Sequence, residues 1–179
     1  MAHRFLVAVT ALTVLLLAAG SNAQSETPTR EARQSEEIAA LKAEVERLKT
    51  IVPGQAVAMT QVAYNFGNLW FAVQERNWPL AQFYFNETRT RLRWAMRITP
   101  VRKTTSGDVE LVPLLDALEQ GHLAALGRTV DGRDVERFRS AYDDVLSSCY
   151  GCHVASEKPF LRLKIPAAPA EAMIIFGNN

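Results

Sequence analysis

Between Ile38 and Val52 the apolar residues Ile38, Leu41, Val45, Leu48 and Val52 recur at alternating spacings of three and four. That is a heptad seam with β-branched residues at a and leucine at d. Glu37 and Glu44 fall at g, and Lys42 and Lys49 at the following e positions, the arrangement that pairs across a parallel two-stranded coil. The pattern predicts a coiled-coil helix over residues 36–52 and a homodimer. Fewer than three heptads make a weak coil, so the dimer is expected to lean on the domain behind it. A single amphipathic helix folded onto its own domain is the alternative.

Pro53-Gly54 closes the seam, and four helical stripes follow. Helix one, about 55–76, carries Met59, Val62, Phe66, Leu69 and Val73 on one face. Asn77-Trp78-Pro79 is a turn that supplies a cap and a first-turn proline. Helix two, about 79–98, points Leu80, Tyr84, Leu92 and Met96 inward. "TPVRKTTSGD" reads as a loop ending in Asp108 as N-cap of helix three, which carries Leu111, Leu115, Leu118 and Leu126 to about 127. Gly132 breaks it, and helix four starts near Asp134. No strand is expected. The fold class is all-α: an antiparallel four-helix bundle over residues 54–157, preceded by the short coiled-coil helix. Pro159, Pro166 and Pro169 make residues 158–179 a proline-rich extended tail, in which "FLRLKI" alternates apolar and basic residues.

The start of the chain, "MAHRFLVAVTALTVLLLAAGSNA", runs from Arg4 through a short apolar stretch to small residues at Ser21 and Ala23. Residues 1–23 are therefore expected to be a secretory signal peptide, followed by a flexible polar lead over 24–35. Losing Arg4 brings the formal net charge of +1 to about zero, which gives no global field toward nucleic acid or anionic lipid. Nothing later is apolar for long enough to span a bilayer. The expectation is a soluble exported protein, periplasmic or otherwise outside the cytoplasm.

Export sharpens the meaning of "SSCYGCH", residues 147–153, which holds both cysteines of the chain. Val135, Phe138, Tyr142, Val145, Cys149 and Cys152 form one stripe, so both thiols project from the inward face of helix four, one turn apart, with His153 beside them. C-x-x-C-H is the attachment signature for c-type haem: two thioethers along one haem edge and an imidazole reaching the iron. A disulfide so short would stabilise little. A thioredoxin-like pair belongs at a helix start near a βαβ unit, and a structural zinc site wants a fourth ligand.

A four-helix chain with this motif near the end of its last helix resembles the class II c-type cytochromes, the cytochrome c prime group. The stretch "DGRDVERFRSAYDDVLSSCYGCH" is similar to that family's last helix, and "NLWFAVQERNWPLAQF" to the first hairpin of a group of related exported cytochromes. The resemblance spans roughly residues 55–157 and implies one covalent haem c held by Cys149 and Cys152, with His153 as proximal iron ligand. Two departures stand out: Glu157 where the family often carries a basic residue, and the long tail.

The resemblance also implies that helix one supplies the distal wall, for which Phe66 is the first choice. Phenylalanine cannot ligate. The ligating alternatives are Met59, His122, Met96 and Met173, of which Met59 leads. A sixth ligand implies a single-electron carrier serving exported redox partners. A vacant site, five-coordinate haem, is the leading single expectation for the iron and implies binding or sensing of a diatomic gas, nitric oxide or carbon monoxide. No acid or base is clearly placed for catalysis, so an enzyme is not expected. The basic end of helix two, with Arg89, Arg91, Arg93, Arg97, Arg102 and Lys103, is either a solvated face or a docking surface for an acidic partner.

Overall fold

The computed structural model describes residues 29–170 and 173–177; the expected signal peptide and the first part of the lead lie outside them. The chain divides into two units, one ending at Ile51 and one beginning at Val52.

The first unit contains α1, Arg30–Ile51. It begins ahead of the expected coil boundary because Thr29 caps it: the Thr29 hydroxyl accepts from the Ala32 amide at 3.2 Å. Residues 30–35 are therefore helical, and the flexible lead does not extend through them. No residue of α1 is buried.

The second unit is mostly helical. Its first pair, α2 (Gln55–Gln74) and α3 (Trp78–Ile98), forms a helical hairpin. Arg76 takes a left-handed conformation at φ 54° in the turn, and the Asn77 amide reaches back to the Ala72 carbonyl at 2.9 Å. The Asn77 side chain then caps α3 by accepting from the Leu80 amide at 3.3 Å, with Pro79 in the first turn. At the other end of the pair, Gln55 Nε2 donates to the Ala95 carbonyl at 3.2 Å, so α2 begins where α3 finishes.

The expected loop after α3 is instead a β-hairpin. Strand β1, Val101–Thr104, pairs antiparallel with β2, Gly107–Glu110, with Val101 opposite Glu110 and Thr104 opposite Gly107. Asp108 does not cap a helix: it lies in β2, ion-paired with Lys103. The Leu111 amide donates to the Pro100 carbonyl at 2.8 Å and closes the base.

The third predicted helix is two helices, α4 (Leu111–Gln120) and α5 (His122–Asp131). Gly121, at φ −96° and ψ −102°, leaves helical geometry and breaks the run. Gly127 lies within α5 because the ring of Phe85 fills the space a side chain would need: a Cβ there would sit 2.8 Å from Phe85 Cζ. Helix α6, Val135–Ala155, starts at the expected cap, with Asp134 Oδ1 accepting from the Arg137 amide at 3.0 Å.

The core gathers Leu69 and Val73 of α2, Leu123 and Leu126 of α5, and Phe138, Tyr142 and Val145 of α6. Among the described residues no helix is long and apolar enough to cross a membrane. The described tail has no helix or strand, yet it is fastened: the Ala170 amide donates to Asn68 Oδ1 at 3.0 Å, and buried Phe176 packs against Phe71 and Tyr84.

Candidate functional site

The last two turns of α6 present Cys149, Cys152 and His153. Both cysteines are free thiols, half-buried and packed against the core. Burial pushes the Cys149 thiol up to about 12, and the neighbouring Cys152 adds to the shift. Burial also raises Cys152, opposed by a hydrogen bond with Ser156. Burial thus disfavours the thiolate form that a redox pair or a thiolate metal site uses, at Cys149 above all.

His153 is fixed by a group that side-chain motifs do not reveal. Its Nδ1 lies 3.1 Å from the Leu161 carbonyl oxygen. A carbonyl only accepts, so Nδ1 is the donor, and in the neutral ring Nε2 is then the nitrogen with a lone pair for a ligand. The loop that brings Leu161 there is closed by the Lys158 amide on the His153 carbonyl at 2.8 Å and by the Tyr150 hydroxyl donating to the Pro159 carbonyl at 3.2 Å. Glu157 sits at φ 58° and accepts from the Thr105 amide at 2.7 Å and from the Thr105 hydroxyl. These hydrogen bonds hold its carboxyl below the usual range and join the hairpin tip to the end of α6.

The same contacts orient α6 against α2. Arg102 of β1 donates to Gln55 at the start of α2, and Thr105 at the hairpin tip meets Glu157 just past the end of α6. Thus α6 ends where α2 begins, and the two run antiparallel. Higher up they meet ring to ring: Phe66 and Tyr142 stack at 4.1 Å between centroids and 1° between planes. The Tyr142 hydroxyl donates to the Phe66 carbonyl at 2.9 Å. Tyr142 is strongly raised by burial, with smaller contributions from Cys149 and Asp143.

From this pair a register follows. Met59 lies seven residues before Phe66 on α2, and Cys149 seven after Tyr142 on α6. Both are displaced toward the same end by about 10 Å of helical rise. Met59 is therefore level with Cys149, and both pack against the core. Phe66, the expected distal wall, is level with Tyr142 and engaged in stacking on it.

The other candidates are placed as follows. His122 is exposed at the start of α5, its Nδ1 2.6 Å from Ser148 Oγ. Ser148 gives its proton to the Asp144 carbonyl at 3.0 Å, so His122 Nδ1 donates and its Nε2 is left with the lone pair. Met96 is buried near the end of α3, and Met173 is 90% exposed. The basic stretch is largely paired internally: Arg93 with Glu119 at 2.9 Å, Arg91 with Glu87 at 3.1 Å, and Lys103 with Asp108. Among the described residues no three His, Cys, Asp or Glu side chains converge to hold a bare metal ion.

Sequence reasoning singled out the thiols, His153 and Met59, but missed Leu161, Tyr142 as a partner of Phe66, and Thr105. Leu161 acts through its backbone, which no side-chain pattern marks. No protein-family model matches the chain, and searches of curated proteins and of solved structures return no match.

Proposed function

We propose that the chain is an exported c-type cytochrome that carries single electrons, built on a four-helix bundle like that of cytochrome c prime. Cys149 and Cys152 would hold one haem c as thioethers, and His153 Nε2 would ligate its iron. The observation that carries the reading is the His153 Nδ1 to Leu161 carbonyl contact, which leaves Nε2 as the nitrogen free to ligate, beside two thiols packed against the core. A donor set of this kind fits haem c better than a dithiol redox pair or a thiolate site.

Counting α4 and α5 as one interrupted arm gives four arms, α2, α3, α4–α5 and α6, consistent with the bundle. Haem would supply a one-electron iron couple. The chain would hold the group rigidly, since Tyr150 and Leu161 tie the loop after α6 to His153 and its neighbours. Met59 is the second ligand we assign: a thioether needs no deprotonation, and its level on α2 matches that of Cys149. The core residues around Phe66, Trp70 and Tyr142 would exclude water.

The test is made on protein from cells that attach haem c. Covalent porphyrin should survive denaturation in the parent chain and be lost in Cys149→Ala/Cys152→Ala. The reduced spectrum should be low-spin and unchanged by carbon monoxide, becoming high-spin in Met59→Leu and staying low-spin in His122→Ala. A colourless parent chain would reject the haem. A high-spin parent that binds carbon monoxide would replace the electron carrier by a gas-binding protein.

A further inference from the structure

We propose that α1 joins two copies of this chain as a parallel two-stranded coiled coil. Its apolar residues Ile38, Leu41, Val45 and Leu48 are all exposed, Leu41 at 66%, and lie on one seam. Among the described residues none of this 22-residue helix is buried, and protein helices draw most of their stability from packing an apolar face. The seam needs a second surface, and its chemistry specifies which one. Ile38 and Val45 at a with Leu41 and Leu48 at d is the combination that favours two strands.

The flanking charges choose a second copy of α1 and set its direction. In a parallel pair Glu37 faces the other copy's Lys42, and Glu44 faces its Lys49, each contact occurring twice by symmetry. An antiparallel pair would put glutamate opposite glutamate and lysine opposite lysine. Within a single helix two of these charges have exposed partners: Glu44 with Arg47 at 2.7 Å and Lys49 with Glu46 at 2.8 Å. Such pairs contribute little and exchange readily for interchain ones. The polar face mixes Glu36 and Glu46 with Arg33 and Arg47, unlike the lysine- and arginine-rich face of a helix that lies on a membrane. The seam ends where Glu31 and Gln34 occupy the preceding a and d positions, so the dimer should be concentration-dependent.

Sedimentation equilibrium on the purified protein should give a dimer that dissociates on dilution. Leu41→Asp/Leu48→Asp should be monomeric, with the thermal unfolding of the second unit unchanged. Charge variants give an independent reading. Glu37→Lys/Glu44→Lys and Lys42→Glu/Lys49→Glu should each be monomeric alone and dimeric when mixed. Gln34→Cys should cross-link under mild oxidation where the parent chain does not, because parallel strands bring the two copies of position 34 together.

A parent chain that stays monomeric up to its solubility limit would overturn the proposal, as would one whose α1 is protected from hydrogen exchange while monomeric. So would a Leu41→Asp/Leu48→Asp variant that remains dimeric, which would place the interface elsewhere. A dimer whose Gln34→Cys form fails to cross-link would exclude the parallel arrangement.

Discussion

The contact that sets α2 against α6 can be dissected at Tyr142. Tyr142→Phe keeps the ring on Phe66 and removes only the hydroxyl, which donates to the Phe66 carbonyl at 2.9 Å. That carbonyl sits mid-helix and retains the amide four residues on, so it does not become an orphan. The loss should be about 1 kcal/mol, the net value of one hydrogen bond. Tyr142→Ala removes a ring that is 1% exposed and should cost about 3–5 kcal/mol, as for other large core aromatics. The ring–ring term is separable: with Phe66→Leu and Tyr142→Leu as single variants, a double-mutant cycle should return a coupling of about 0.5–1.5 kcal/mol. Urea unfolding followed by circular dichroism, with the slope checked for constancy, measures all of these. If Phe66→Leu and Tyr142→Leu lose stability additively, the rings do not touch, and the register that puts Met59 level with Cys149 fails with them. A Tyr142→Phe loss as large as that of Tyr142→Ala would also refute the reasoning, because the hydroxyl would then carry the whole effect.

Gly127→Ala should destabilise by about 1–3 kcal/mol in the same assay, since the new methyl meets the Phe85 ring at 2.8 Å, and Phe85→Leu in the same chain should recover part of the loss. Glu157 gives a pH signature. Hydrogen bonds from Thr105 lower its pKa in the folded chain, so its contribution is present above the unfolded carboxylate range and disappears as pH falls through the lowered folded value. The melting temperature of Glu157→Gln should therefore fall below the parent's at neutral pH and converge with it in acid, and a constant difference across the titration would refute this assignment.

What the sequence made legible depended on how each feature is encoded. The stripes of α2, α3 and α6 were readable because a buried helix face repeats at a fixed period, and the Asp134 cap and the Asn77-Trp78-Pro79 turn because each is written in a few adjacent side chains. The hairpin from Val101 to Glu110 escaped because strands of four residues hold too few alternations to stand out from the surrounding turn chemistry. The break at Gly121 escaped for a related reason: Leu111, Leu115, Leu118 and Leu126 keep helical spacing across it, and a lone glycine inside such a run is usually tolerated. At the site, the C-x-x-C-H spacing was plain. The Leu161 carbonyl, the Ser148 partner of His122 and the Thr105 partner of Glu157 were not, because they come from segments whose proximity only the folded backbone creates.

The fastening of the tail bears on the order in which the molecule is completed during synthesis. Asn68 lies near the middle of α2, yet the amide that satisfies its side-chain oxygen belongs to Ala170, 102 residues later in translation. The ring of Phe176, which covers Phe71 and Tyr84, emerges later still. A chain is made at about 5–20 residues per second, so the segments that cover the first helical hairpin are added seconds after it. Until the downstream segment arrives, the surface it covers is open to a chaperone or to wrong partners, and chains ending ahead of Ala170 would keep it open for good.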